Sequence, residues 1–394
     1  MKILYIWDAD YPWDVRVEKI CRTLAKHGHE VHIAARNLKR LPEYERQEDL
    51  HIHRLKPLGD DRINYAISFP LFFSPFWKKF IDRIIREHCI GLIIVRDLPM
   101  AIAGIWAGKR HRIPVIFDMA EDYVAMLWDI WRSNKFKGFN LIVRNPYLAS
   151  YVEKYVFQKA DHILVVVEEA RDVVVRRGGF LGKITIVGNT PTLESFSNHE
   201  ISMNKDLEKI KNHYSTIYTG GVQMGRGIQV VFEAIPEIVK VIPDFLFVIV
   251  GDGYATEKLK GLAIEKEVQD YVLWTGWVDH ARIFDYIRLC KMGIIPHFTS
   301  NHVNTTIPNK IFDYMGFGIP IVASDATPMK RILEESQSGL TFKSDDHKDL
   351  ARVVTKVYVK DSSYWKQGIE AVKSKYNWEI EEKRLIEVIQ RFGN

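Results

Sequence analysis

"IPNKIFDYMGFGIPIVAS", residues 307 to 324, joins a short helix-forming run to an apolar strand through Gly318 and Pro320. A helix that stops at Gly-x-Pro and is followed at once by Ile, Val and Ala is the second half of a strand-helix-strand unit with parallel strands. The same grammar recurs on either side. After the polar stretch 197 to 215 come "TIYTGG", the helical "GIQVVFEAIPEIVKVI", "FLFVIVGDG", "YVLWTGW" and "KMGIIPH". In the first half "KILYIW" precedes a helix from "WDVRVEKICRTLAKHG", followed by "EVHIAA", "IGLIIV", a helix from Pro99 to His111, and "PVIFDM". These runs are too apolar for a half-exposed sheet and suit parallel strands buried on both faces. The expected fold is α/β, with two doubly wound Rossmann-like domains facing across a cleft.

The chain has 394 residues, more than one core usually organises. The expected division is one Rossmann-like domain over 1–195, a second over 196–375, and a terminal helix over 376–394 that returns to the first domain. A composition of 47% hydrophobic and 27% charged residues is that of an ordered globular protein. Residues 1 to 190 carry 30 Lys+Arg against 23 Asp+Glu, and the remainder 25 against 27, so the excess cation lies in the first half. Cys21, Cys89 and Cys290 are isolated in sequence, which argues against a disulfide framework or a zinc site and for reduced core thiols in a cytoplasmic protein. "MKILYIWDAD" starts a strand and lacks the features of a signal peptide.

In the quoted stretch Thr305 and Thr306 stand where they can cap a helix with Pro308 in its early turn. The amides of Asn309 and Lys310 then point outward with the positive end of the helix dipole, which favours an anion. Asp313 lies three residues after Lys310, where a carboxylate can accept from a vicinal diol such as ribose. An i,i+3 ion pair on a solvated helix fits the same spacing. In "YTGGVQMGRGIQ", residues 218 to 229, Gly220 and Gly221 end a strand and Arg226 opens a helix, placing a guanidinium at the sheet edge. A plain strand-loop-helix junction would look alike.

Together these residues resemble family four of the retaining GT-B glycosyltransferases, in the subgroup with a Pro-x-Lys element before the donor-site helix. "YTGG", "RGIQVVFEAI", "FVIVGDG", "VLWTGWV", "IIPH" and "IPNKIFDYMGFGIPIVASD" occur in that family's order; "LAKHGHEV", "IPVIFDMAEDY" and "IVGNTPTLESF" resemble its acceptor domain less closely. The resemblance implies transfer of a hexose from a UDP- or GDP-linked sugar to an acceptor hydroxyl with retention, no cofactor and no metal. It places Arg226, Lys310 and Glu121 in the catalytic centre. Gly220, Gly221, Trp277, Val278, Thr305, Thr306, Asn309 and Asp313 fall on the donor side, with Asp14, Arg16 and Asp118 beside Glu121 on the acceptor side. The family's basic pair matches Arg226 and, without charge, Gly221; its two glutamates match Thr305 and Asp313; its acceptor-side histidine matches Ala120. A non-catalytic nucleotide-sugar binder and a GT-B sugar-nucleotide epimerase share this pattern. A dehydrogenase would need a glycine-rich turn after an early strand, which "IWDADYPWD" lacks.

Asp8 and Asp10 form an Asp-x-Asp pair of the kind that holds a metal in a different glycosyltransferase fold, here without further oxygen ligands at fixed spacing. Residues 65–88 mix aromatics with Lys78, Lys79, Arg83 and Arg86 and are too short an apolar run to span a bilayer. They suit a membrane surface, with Phe72, Phe73, Phe76 and Trp77 dipping in, or equally a buried loop and helix. Residues 129 to 144 repeat the mixture. The expected partners are a nucleotide-sugar donor, a glycan or lipid-linked acceptor and the inner face of a membrane; no nucleic-acid module is present.

Overall fold

The computed structural model describes residues 1–12, 14–69, 72–132, 144–197, 200–360 and 362–393. It divides into unit 1, Met1–Asn189 with Glu381–Asn394, and unit 2, Thr190–Ile380.

Unit 1 contains β1 (Lys2–Asp10), β2 (Glu30–Arg36), β3 (Tyr44–Gln47), β4 (Leu50–Arg54), β5 (Leu92–Arg96), β6 (Val115–Met119), β7 (His162–Val165) and β8 (Ile184–Ile186). Their order across the sheet is β3-β4-β2-β1-β5-β6-β7-β8. All neighbours run parallel except β3 and β4, an antiparallel hairpin at the edge. The central strands are the apolar runs of the sequence: Ile3 through Ile6 and Leu92 through Val95 are fully buried. Helices cover both faces of this sheet. Val15–Lys26 shows the logic, since Val17, Ile20, Cys21 and Leu24 recur at helical spacing on its buried face. Asp14 caps it, accepting from Arg16 N at 2.9 Å and Val17 N at 3.2 Å, a contact worth about 1 kcal/mol.

Unit 2 contains β9 (Tyr214–Thr219), β10 (Phe245–Val250), β11 (Val272–Gly276), β12 (Met292–Ile295), β13 (Ile321–Ser324) and β14 (Gly339–Phe342). The order is β11-β10-β9-β12-β13-β14, all parallel. Counted from β9, this is the doubly wound order 3-2-1-4-5-6, whose direction reverses between β9 and β12. Phe232, Phe245, Phe247, Ile249 and Ile294 pack in its core.

The hairpin is the main departure from the sequence reading of unit 1. "YERQEDLHIHR", residues 44 to 54, alternates polar and apolar residues and carries too much charge for a buried strand. It forms an edge, where only one face of β4 needs to be apolar.

Candidate functional site

Ligands of doubly wound sheets bind at the carboxyl ends of the strands where the order reverses. In unit 2 that point is the end of β9 and β12, and backbones crowd there because side chains are missing. Gly251 after β10 has φ +141°, and a Cβ on it would lie 2.2 Å from Gly220 O. Gly227 has φ +71°, and its Cβ would lie 1.8 Å from Pro296 O. Only glycine lets these loops meet.

The helix Lys310–Gly316 is fastened to the same point by Tyr314, whose buried hydroxyl accepts from Thr219 N at 3.0 Å and lies 3.3 Å from Ile217 O. One turn earlier on the same face, Lys310 therefore reaches the end of β9. Its Nζ lies 3.7 Å from the Tyr218 ring centroid and 3.4 Å from where a Gly220 Cβ would be. Burial and then Arg226 push the Lys310 ammonium well below its ordinary pKa, against an opposing pull from Asp313. Arg226 itself is exposed, on the turn Met224–Arg226. His297, two residues past β12, is 2% exposed, and its Nε2 has no hydrogen-bond partner among the described residues. Burial, Lys310 and Arg226 together hold its imidazole well below the usual value and so neutral.

The structure thus brings Gly220, Gly221, Arg226 and Lys310 to one point and adds His297, which the sequence reading passed over. Its signal was present in "IIPH", a histidine just beyond a buried strand at the carboxyl edge. Asn309 and Asp313 stand half-buried beside Lys310. The first bonds of the helical turn run from Ile311 N to Pro308 O, 3.1 Å, and Phe312 N to Asn309 O, 2.9 Å, so the Asn309 and Lys310 amides stand ahead of it.

The expected caps need correction. Thr305 closes a 3-10 turn, Val303–Thr305, and its hydroxyl donates to His302 O at 2.9 Å; Thr306 follows that turn with extended backbone. Neither caps Lys310–Gly316, whose start makes no side-chain cap. Pro308 is the reason, because it disfavours helical backbone at Ile307 and cuts the helix off from the threonines. Trp277, 75% exposed, and the half-buried Val278 lie beyond β11, two strands away from β9.

In unit 1 the order reverses between β1 and β5, and carboxylates gather at that end. Asp97, directly after β5, has φ +57°, and its Oδ1 accepts from Ala120 N at 3.1 Å and Glu121 N at 3.3 Å. Burial pushes its carboxyl up to about 8, with Arg96 opposing and Glu121 and Asp8 reinforcing. Burial likewise raises Asp8 to about 6, against Arg96 and Arg36. Asp97 Oδ2 lies 3.4 Å from Arg96 Nε, so both oxygens of the Asp97 carboxyl face donors. Glu121 is exposed at the same end. Arg96 lies over the Trp7 ring, 4.2 Å from its centroid, and pairs with Asp14. Asp97 was missed, although an acid immediately after a buried strand at the reversal point was its signal.

Two acceptor-side assignments are corrected here. Arg16 and Asp118 are each 0% exposed and pair with each other, Arg16 Nε lying 3.0 Å from both carboxylate oxygens. Tyr5 OH donates to Asp118 at 2.7 Å and Arg16 Nη1 to Val187 O at 2.8 Å, so the pair ties the interior of unit 1 together and faces no ligand. Asp14 spends its carboxylate on the helix cap and on Arg96. Asp10 accepts from Leu38 N at 2.6 Å, which engages one half of the Asp-x-Asp pair structurally.

The membrane reading also changes. Phe72 and Trp77 are buried, Trp77 donating to Ser68 O at 3.0 Å, while Phe73 and Phe76 remain exposed at 55% and 43%. Residues 70, 71 and 133–143 lie outside the described residues. Among the described residues no helix is long and apolar enough to cross a membrane. Cys21 and Cys290 are buried and unpaired, but Cys89 is exposed, since it ends the helix Pro75–His88 in left-handed conformation.

Residues 14–190 match the family model described as glycosyl transferase 4-like domain, and residues 213–359 the model described as glycosyl transferases group 1. The chain belongs to the GT-B glycosyltransferases. Sucrose-phosphate synthase of Thermosynechococcus elongatus superposes with a TM-score of 0.77 at 16% identity, covering 99% of this chain and 98% of that one, which shows the shared fold. Alpha-D-kanosaminyltransferase of Streptomyces kanamyceticus is 22% identical over 49% of this chain and 50% of its own length, so the match spans about half of that relative. Alpha-monoglucosyldiacylglycerol synthase of Streptococcus pneumoniae is 22% identical over 91% of this chain and 78% of its own.

Proposed function

We propose that this GT-B glycosyltransferase moves a hexose from a UDP- or GDP-linked sugar to the hydroxyl of a lipid-linked or cell-surface glycan acceptor, with retention at the anomeric carbon and without a metal in the transfer step. The observation that carries the reading is the convergence of Lys310, Arg226 and a neutral His297 where the unit 2 sheet reverses. Two neighbouring cations, one depressed by burial and then by the other, suit a diphosphate. When the anomeric C–O bond breaks, its electron pair goes to the leaving diphosphate oxygen. Lys310, Arg226 and the Asn309 and Lys310 amides are placed to hold that charge, and loss of one such donor typically costs about 3 kcal/mol of barrier. Asp313 accepts from the ribose diol. The new bond forms from the acceptor oxygen to the same carbon, and its proton passes to the departing phosphate oxygen.

An acceptor bearing a lipid agrees with the name of the pneumococcal relative and with the excess cation of residues 1 to 190. Exposed Phe73 and Phe76, near Lys78 and Lys79, are the proposed contact with the cytoplasmic face of a membrane.

The test is to incubate the purified chain with UDP- and GDP-hexoses and lipid-linked glycan acceptors, with and without EDTA, and to read the anomeric configuration of the product by proton NMR. Retained configuration in EDTA supports the proposal. An inverted product, activity after EDTA that returns only with Mg²⁺ or Mn²⁺, or donor interconversion without any acceptor overturns the corresponding part of it.

A further inference from the structure

Away from both reversal points, the edge of the unit 1 sheet gathers histidines from three elements. The β2–β4 register sets His32 opposite His51 and Ala34 opposite His53, so all three imidazoles share one face. The helix Pro75–His88 ends over that face and brings His88. Ring centroids are 4.5 Å apart for His32 and His88, 4.9 Å for His53 and His88, and 5.2 Å for His32 and His53. One ring nitrogen from each of His32, His53 and His88 lies within 4.8 Å of the others, and His32 Nδ1 is 2.9 Å from His53 Nε2.

We propose that His32, His53 and His88 form a site for zinc or a similar divalent transition metal, with water as fourth ligand, which pins the β3–β4 hairpin and the end of the helix Pro75–His88 to the sheet.

Three features favour a metal over a stack of aromatic rings. The far nitrogen of His32, Nε2, lies 3.0 Å from Glu30 Oε1, which assigns that nitrogen as the donor and turns the Nδ1 lone pair toward His53 and His88. A carboxylate behind a ligating histidine is the usual means of orienting it. Glu30 is in turn held by Lys2 at 3.0 Å. Tetrahedral Zn–N bonds of about 2.0–2.1 Å separate ligand nitrogens by about 3.4 Å, within reach of small ring rotations from the spacing seen here. His51, stacked on His32 at 4.7 Å, is hydrogen-bonded through Nδ1 to Tyr44 OH at 2.9 Å and closes one side of the cluster. The site needs no sulfur, so the isolated cysteines of the sequence are no argument against it.

The test uses the full chain without a histidine tag, stripped with EDTA and titrated with Zn²⁺, with Co²⁺ as the spectroscopic probe. One equivalent of metal, the visible absorption of low-symmetry Co²⁺ with nitrogen ligands, and a rise in Tm of roughly 5 °C at a hundredfold excess over Kd are expected for a unit of this size. His88→Gln, at a half-buried position, should lose binding at least a hundredfold, and Glu30→Gln about tenfold to a hundredfold. Cys89→Ser should leave binding unchanged. Substoichiometric uptake, or uptake that His88→Gln leaves intact, would mean adventitious binding and overturn the proposal. Loss in Cys89→Ser would overturn the three-imidazole ligand set. Glycosyl transfer is measured separately, and its presence or absence bears on neither outcome.

Discussion

Replacing Lys310 by Met should move stability and function in opposite directions. In the unliganded protein the ammonium is half-buried, faces Arg226, and titrates well below an ordinary lysine. The unfolded chain therefore binds more protons than the folded one between the depressed and the ordinary pKa, and stability rises with pH across that window. At neutral pH the charge opposes folding. Methionine keeps the length of the side chain and its contact with Tyr218 while removing that charge, so the variant should gain about 1 kcal/mol, or about 2–4 °C in Tm. The gain should shrink as pH climbs toward the ordinary lysine value. With a nucleoside diphosphate bound the sign reverses. A partly buried, charge-assisted contact is worth about 1.5–3 kcal/mol, so affinity for UDP or GDP should fall roughly 10-fold to 150-fold. Turnover should fall about 10²-fold to 10³-fold if the ammonium also meets charge that develops on the leaving group. Thermal melts from pH 6 to 10, calorimetric titration with both nucleotides and steady-state kinetics measure the three quantities. A variant that is destabilised at neutral pH, or that binds both nucleotides as tightly as the parent, refutes the reasoning.

Other sites give sharper structural tests. Asp118→Asn leaves Arg16 buried without its counter-charge and should cost about 3–5 kcal/mol in urea unfolding; a loss under 1 kcal/mol would mean that the pair does not organise unit 1. Gly227→Ala forces a Cβ to within 1.8 Å of Pro296 O at a left-handed φ and should lower Tm by several degrees, whereas Gly225→Ala, with nothing within 4 Å, should be nearly neutral. Because Asp97 holds its proton up to about 8 in the folded state, that carboxyl makes stability fall as pH rises from about 4 to about 8. Asp97→Asn keeps the Oδ1 acceptor for Ala120 and Glu121 and should flatten this part of the Tm–pH curve; an unchanged slope would show that the carboxyl ionises normally.

The legible parts of this chain were those governed by local pattern. Buried parallel strands announce themselves as Val and Ile runs, and Gly220, Arg226 and Lys310 were recoverable because a loop chemistry sits at a fixed offset from each run. What stayed hidden depends on contacts between distant residues. Asp118 and Arg16 are 102 positions apart, and their mutual burial turns two polar candidates into internal structure. Thr305 and Thr306 read as caps because their types fit, while the influence of Pro308 on the backbone before it decided otherwise. The histidines at 32, 53 and 88 have no motif spacing; a strand register and a helix end bring them together.

The two sheets reverse direction in the same way yet collect opposite chemistry at that point. In unit 2 the residues beyond β9 and β12 are glycine, arginine and a neutral histidine, joined by a lysine from a neighbouring helix. Unit 1 places Asp8 and Asp97 beyond or near the ends of β1 and β5, with Glu121 after β6, and burial shifts the first two toward neutral pH. Parallel strands explain why either kind of group works there, since loops leaving the carboxyl edge are free of the sheet's hydrogen bonding and open onto helix N-termini. Under the proposed function, unit 2 supplies fixed positive potential for a leaving anion. Burial in unit 1 raises two carboxyls, Asp8 to about 6 and Asp97 to about 8, which lowers the negative charge this edge carries. On that reading the two sheets divide the work by which charges each carries at its reversal point.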